Sequence, residues 1–584
     1  MKCWLTILVL CVSAANAQPL RSLKSVPVPV PPGLETYVRD NAALIALGKA
    51  LFWDMQAGSD GRTACATCHF HAGADHRIQN QLVDPNGAFP LNSRLDSVIF
   101  PFRWLADPSN RNSEVLRDLS MRVGSAGLFR RSFVDIEPGQ AEELGTDTMD
   151  IAPFMTNGTQ ARRVTVRNSP SVINSVFYVR NFWDGRAQRI FNGFDPGGAS
   201  TATPGLLLMR DGVLTRSQIR IDNSSLASQA VGPVLDHLEM SYAGRTWAKL
   251  GKKILSLAPL AMQSVAPDDS VLGAMARVSG RGLAAGITYG GMVRAAFHSE
   301  LWESTQLVDE SGEVLTGRTG AAGNTREFSQ AEYNFPLFWG LALQAYQATL
   351  NSNDSPFDRF MEGDQSALTA QEQEGLRIFQ QNGRCTTCHG GAEFSAASFT
   401  ASGQRGNGRA FQHTGVRPAS EDAGSGNGAF KSIGLRNVEL TGPYFHNGGQ
   451  STLEQVVDFY VRGGDFAANN NGIRPFAATT SQKAALVAFL KALTDARVRH
   501  QRAPFDHPEL CVPDGHLELR PGVLLPGASA RFPASAADRW ISVPAVGAYG
   551  TQQPLQTFQE LLAGTGADGS RTHTMTERCM IELQ

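Results

Sequence analysis

The sequence predicts a mainly α-helical fold with long loops, and three stretches carry that expectation. Leu44, Leu47, Leu51 and Phe52 recur at helical spacing. Thr369 and Glu372 supply the residues of a capping box, followed by an apolar face at Leu376 and Phe379 and a stop at Gly383. Leu486, Phe489, Leu490 and Leu493 stand at i, i+3, i+4 and i+7, an amphipathic helix suited to cross the second of these segments. The first two helices each lead into a C-x-x-C pair, the first through a loop from Gly58 to Gly61, so one unit is repeated.

The chain has 584 residues and is 42% hydrophobic, enough for several buried cores at roughly 100 to 200 residues per domain. Its formal net charge is -2, which argues against a nucleic-acid or anionic-membrane footprint. Lys2, the apolar run Trp4 to Val12 and Ala15-Asn16-Ala17 have the layout of a secretory signal over residues 1–17, which places the mature chain in the periplasm or outside the cell. Leu10 argues against lipidation at Cys11, and no stretch is long enough to span a membrane. Residues 18–33 end in V-P-V-P-V-P-P-G and are expected to be an extended linker. The expected divisions are 34–340 and 341–500, one around each cysteine pair, and a small irregular C-terminal region, 501–584. Glu303 to Gln330 and Ser402 to Gly428 are polar and Gly-rich and are expected to be surface loops or short hairpins. The second lacks the preceding strand and following Lys-Ser or Lys-Thr of a phosphate loop.

Six cysteines remain after residue 17. Cys65-Ala66-Thr67-Cys68-His69 and Cys385-Thr386-Thr387-Cys388-His389 both fit C-x-x-C-H, the attachment signature of haem c. Two thiols one turn apart can each form a thioether to a vinyl group while the adjacent imidazole meets the iron. Two covalent haems follow, with His69 and His389 as iron ligands. A four-thiolate zinc site is the competing structural reading, weakened by the half-chain between the pairs, and a redox dithiol would need a βαβ context. Cys511 and Cys579 stand alone and suit a disulfide in an oxidising compartment.

Residues 46–76, 162–240 and 368–496 resemble the di-haem cytochrome c peroxidase family, which includes MauG and, more distantly, the haem-dependent rubber oxygenases. Arg167 to Asn174 with Phe182-Trp183-Asp184-Gly185-Arg186-Ala187 resembles the segment between the haems. That resemblance makes Trp183 an electron or radical relay, where composition alone would make it core. Gln229-Ala230-Val231-Gly232-Pro233 with Glu239-Met240 resembles the distal peroxidatic segment, so Glu239 becomes the acid-base group with Gln229 beside it. By itself a lone glutamate is a solvated surface charge, and His237 falls outside the motif. Leu435 to Gly448 is the longest match, and it implies one calcium ion held by Asn168, Thr441 and Pro443, oxygen donors a hard cation accepts.

Tyr460 stands where family peroxidases have a methionine ligand and MauG has a tyrosine. The resemblance makes it a candidate sixth ligand of the second haem, with His507 and His573 as alternatives. His71 and His76 follow His69 too closely to reach its opposite face, which suggests an open first haem. An insertion from Phe194 to Ser228 also departs from the family pattern.

The family likeness implies two cytochrome c-like domains facing each other and peroxide reduction with electrons from a small cytochrome or cupredoxin. MauG-like oxidation of a protein partner and dioxygen-dependent cleavage of a hydrophobic polymer are the enzymatic alternatives, and a di-haem electron carrier is the non-enzymatic one.

Overall fold

The computed structural model describes residues 18–84, 92–150, 153–156, 159–402, 410–422, 427–466, 473–516, 534–564 and 579. The expected signal segment 1–17 and the ligand candidate His573 lie outside these residues, as does part of the Ser402 to Gly428 loop. The helices that build the site are α1 (Asn41–Trp53), α2 (Ser225–Ala230), α3 (Phe335–Thr349), α4 (Ala370–Gln380), α5 (Leu453–Val461) and α6 (Thr480–Lys491). Every sheet among the described residues has only two or three strands, so helices and loops dominate as expected.

α1 starts where the Asp40 carboxylate accepts from the amides of Ala42 and Ala43, at 2.8 and 3.0 Å. It crosses α3 at Gly48, where a Cβ would stand 1.9 Å from the Ala342 carbonyl oxygen and 2.9 Å from Tyr346 Cβ. Only glycine lets the two backbones come so close. The crossing is fixed further along, where Trp53 Nε1 donates to Tyr346 Oη at 2.9 Å.

The second unit repeats this construction. Thr369 and Glu372 form the expected capping box at the start of α4, which crosses α6 at Gly375. A Cβ there would meet the Ala485 carbonyl oxygen at 2.0 Å and Phe489 Cβ at 2.7 Å. Leu493 lies beyond the end of α6 but is fully buried.

Two large apolar clusters result. One gathers α1, α3 and the C-terminal residues Leu510, Val512, Trp540, Ile541 and Val543. The other gathers α4, α5 and α6 with Leu20. The insertion forms a hairpin, β1 (Leu206–Arg210) with β2 (Val213–Ser217), Arg210 opposite Val213. The Glu303 to Gln330 stretch contains another, β3 (Gln306–Val308) with β4 (Val314–Thr319).

Three expectations are corrected. The residues after 505 do not stand apart: β5 (Leu510–His516) is buried throughout and pairs antiparallel with β6 (Asp538–Val543), Leu510 opposite Val543. Lys49 of α1 ties this region down, reaching Asp269 at 2.8 Å and Asp506 at 3.0 Å with all three side chains fully buried. Arg162 likewise joins Asp60 at 3.1 Å to Asp538 at 2.8 Å.

Residues 18–33 are not a free linker. Leu20, Leu23 and Val26 are buried, the Leu23 amide donates to Asp358 Oδ1 at 2.9 Å and Ser22 Oγ to Glu362 Oε1 at 2.7 Å. Finally, the 340/341 division falls inside α3, whose continuous backbone ladder and packing against α1 run on to Thr349.

Cys511 and Cys579 are disulfide-bonded as expected, with an S–S distance of 2.09 Å. No helix among the described residues is long and apolar enough to cross a membrane.

Candidate functional site

Cys65–Cys68 forms a short 3₁₀ turn after α1, held by the Ala64 amide donating to Thr67 Oγ1 at 2.9 Å. The turn places the His69 ring with Nδ1 2.8 Å from the Gly73 carbonyl oxygen. In the neutral ring that carbonyl accepts from Nδ1–H, leaving Nε2 with a free lone pair for a metal. Gly73 has φ +75°, and a Cβ there would meet Ser171 Oγ at 2.7 Å and the Val172 amide nitrogen at 3.0 Å. The Val172 amide donates to the Gly73 carbonyl at 3.0 Å, docking the Arg167 to Asn174 segment against this loop.

The second histidine is set the same way. Cys385–Thr387 forms the turn, and His389 Nδ1 lies 3.1 Å from the carbonyl oxygens of both Phe394 and Ile433. Burial lowers both histidine pKa values, keeping the rings neutral and able to ligate. All four C-x-x-C cysteines are free of disulfides, and no group of three or more His, Cys, Asp or Glu among the described residues could hold a metal ion. The two pairs therefore do not converge on a four-thiolate zinc centre.

A cavity of about 510 Å³ joins the two units, its wall including Cys68, His69, Trp183, Gln229, Glu239 and Ile433. Three of these are residues the sequence singled out for chemistry between or above the haems. Gln229 lies near the end of α2, which is pinned to α3 by the Ala227 amide donating to Gln344 Oε1 at 2.9 Å and Trp339 Nε1 donating to the Ala230 carbonyl at 3.0 Å.

Glu239 follows a turn at Pro233–Leu235, and the backbone just before it presses on Gly127, where a Cβ would stand 1.9 Å from the Leu238 carbonyl oxygen. The next residue, Met240, has its sulfur 3.9 Å from Cys65 Sγ. Desolvation, and then the negative charge of Asp236, push the Glu239 carboxyl up to about 7 against the pull of Arg186. Such a group exchanges protons near neutral pH.

Trp183 is buried, donates Nε1–H to the Asn168 carbonyl at 2.7 Å and lies edge-on to Phe430 and His446, at 6.4 and 6.3 Å between ring centroids. The Asn168 amide group also approaches the Pro443 carbonyl oxygen at 2.6 Å, and Thr441 shares the cavity wall with Asn168. Asn168 and Pro443, two of the three expected calcium donors, are thus hydrogen-bonded to each other, the amide nitrogen of Asn168 facing the Pro443 carbonyl.

Of the candidate sixth ligands, Tyr460 on α5 sits against the second cysteine pair: burial, then Cys388 and Cys385, raise its phenol pKa. His507 is elsewhere. It stacks on Trp53 at 4.5 Å, with Nδ1 2.9 Å from the Pro508 carbonyl and Nε2 2.7 Å from Gln501 Nε2, beside the first unit. Both ring nitrogens are engaged there, away from the second cysteine pair. His71 and His76 stack on each other at 3.8 Å. His237 is exposed.

Two residues near Trp183 were given no role by the sequence patterns. His446, inside the longest motif, stacks on Phe430 at 3.7 Å and is driven down to about 3 by desolvation and then by Arg167. Lys431 lies in the cavity wall but outside any motif, and a lysine in a sequence signals only surface.

Residues 137–270, the stretch containing Trp183, Gln229 and Glu239, match the family model for di-haem cytochrome c peroxidase. Cytochrome-c peroxidase IdrP2 of Denitromonas iodatirespirans is 35% identical over 194 residues, 29% of this chain and 52% of that protein. Methylamine utilization protein MauG of Methylorubrum extorquens is 35% identical over 163 residues, 26% of this chain and 42% of that protein. The chain thus spans about half the length of the curated relatives it matches. Among solved structures, a MauG-like protein associated with microbial copper homeostasis aligns over 83% of this chain and 95% of its own at 17% identity and a TM-score of 0.40. Over these stretches the chain is similar to the di-haem cytochrome c peroxidase and MauG family.

Proposed function

We propose that the chain is an exported di-haem c-type oxidoreductase that reduces hydrogen peroxide with two electrons from an external donor, a small cytochrome or cupredoxin. The observation that carries this is the single cavity shared by His69, Trp183 and a Glu239 carboxyl raised to about 7.

Cys65, Cys68 and His69 would hold one haem, and Cys385, Cys388 and His389 the other, in two cytochrome c-like domains that meet at the cavity. When bound, the haems supply the iron redox chemistry. Glu239 carries a proton from one peroxide oxygen to the other, so that water leaves, and Gln229 lends its amide to orient the peroxide. Trp183 relays electrons between the two sites. Asn168, Thr441 and Pro443 would hold calcium and stiffen the same junction.

MauG-like oxidation of a protein partner is the second reading. It is favoured by Tyr460 beside Cys385 and Cys388, because a phenolate ligand stabilises oxidised iron where methionine would raise the potential.

The test is a pyridine haemochrome assay followed by steady-state peroxide consumption with a reduced small cytochrome. About two haems per chain and donor-dependent turnover are expected. Two haems without turnover would leave the electron carrier, and fewer than two would end the di-haem reading.

A further inference from the structure

Arg167, Arg186, Arg436 and Lys431 all line the cavity between the two C-x-x-C-H units. The three guanidinium groups are neutralised in place. Arg167 pairs with Asp184 and Asp422, each at 2.7 Å, Arg186 with Asp184 at 3.2 Å and Arg436 with Asp358 at 2.7 Å. Lys431 is different. It is 5% exposed, its ammonium group lies 3.9 Å over the Tyr178 ring and donates to Asn181 Oδ1 at 3.3 Å, and it forms no ion pair among the described residues.

A ring face and one amide oxygen are poor exchange for the hydration of a primary ammonium. Burial accordingly pulls Lys431 down to about 7, with Asp184 only partly opposing it. The position is also fixed. The Lys431 amide donates to the Trp183 carbonyl at 2.7 Å, and two residues on, the Ile433 carbonyl faces His389 Nδ1 at 3.1 Å. The backbone therefore holds the segment carrying this lysine between the expected relay and the second histidine, while its ammonium group rests on Tyr178 and Asn181.

Each haem brings two propionate carboxylates, anions that need a cation wherever they are buried. We propose that Lys431 is the counter-ion of a haem propionate in this cavity and that its charge raises the reduction potential of that haem. The proposal rests on the di-haem reading given above. A carboxylate beside Lys431 keeps the ammonium charged, and a positive charge there favours the iron state that holds one more electron, so removing it stabilises the ferric form.

The experiment is a spectroelectrochemical titration of the holoprotein and of Lys431→Met, Lys431→Gln and Lys431→Arg, after haemochrome quantification of each. Met and Gln should lower one midpoint by a tenfold change in the ferrous-to-ferric ratio, about 59 mV for a one-electron couple, and leave the other nearly fixed. Arg should restore it. Gln covers the case in which Met fails to load, since it keeps a hydrogen-bonding group toward Asn181. Unchanged midpoints in either loaded variant would overturn the proposal and leave the di-haem reading standing. Fewer than two haems in the wild type would remove both.

Discussion

Trp183 and Asn168 are joined by one short hydrogen bond, the indole N–H to the main-chain carbonyl at 2.7 Å, and the Asn168 amide in turn donates to the His446 carbonyl at 2.8 Å. The aromatic ring is thereby locked to both the 167–174 and the 435–448 segments. Trp183→Phe keeps the apolar volume but leaves the Asn168 carbonyl without its donor, at a cost of about 1 to 3 kcal/mol. Electron transfer between the haems should slow, since phenylalanine is far harder to oxidise. Rapid mixing of half-reduced protein with peroxide would check this, and unchanged transfer would return Trp183 to a packing role.

Glu239→Gln should slow the reaction with peroxide by about 10² to 10⁴ while both haems stay attached. The sign of the pH dependence follows from its role. The carboxylate is the proton acceptor and its pKa is raised to about 7, so the wild-type rate should fall as pH drops through 7. The Gln variant should lack that inflection. Stopped-flow rates from pH 5 to 9 would show both, and equal rates for the two proteins would remove Glu239 from the mechanism.

Tyr460→Phe should change the ferric electronic and paramagnetic resonance spectra of one haem only. His507→Ala should leave them as they are, because His507 stacks on Trp53 beside the other unit. A spectral change in His507→Ala with none in Tyr460→Phe would reverse the ligand assignment.

Gly48→Ala and Gly375→Ala set two known effects against each other. Helix propensity favours alanine by about 1 kcal/mol. The new methyl, however, would meet a backbone carbonyl at 1.9 Å in one case and 2.0 Å in the other, and a carbonyl cannot move without its helix. Overpacking costs about 1 to 3 kcal/mol and should win. Denaturant midpoints read by haem absorbance would fall, and a rise in either would contradict the close crossings.

Lys49→Met strands Asp269 and Asp506 in a fully buried site and should cost about 3 to 5 kcal/mol at pH 7. The Asp506 pKa is lowered in the folded protein, chiefly by Lys49 acting against desolvation. Its contribution is therefore present above the ordinary carboxylate range and lost as pH falls below that range, through the lowered folded-state pKa. The gap between wild type and variant should narrow in acid, and thermal unfolding at pH 7 and pH 4 would test that.

The features legible in the sequence were the local ones. Residues one turn apart reveal an attachment motif, a capping box at Thr369 and Glu372 or the apolar face of α6, because the physics that forms them acts over the same short distance. The docking of residues 18–33 was hidden, since its anchors Asp358 and Glu362 lie more than 300 residues away. β5 was hidden for a related reason: with both faces buried and Pro513, Asp514, Gly515 and His516 in it, it shows neither alternation nor an apolar run. Lys431 gave no signal because only the fold turns a lysine of a two-residue strand into an interior side chain.

The buried strand β5 has a consequence for the order in which the molecule assembles. Apart from Leu20, the second apolar cluster is complete once the chain reaches Leu493. The first draws on Leu44 and Leu47 and on Leu510, Trp540 and Val543, so it cannot close until the chain has emerged as far as Val543. Contacts so far apart in sequence form slowly and late. Cys65 and Cys68 must then wait, or receive their haem, on a unit still open along one side. A chain stopped at Gln501 would keep the second cluster nearly whole while leaving Trp53 without the His507 ring that covers it.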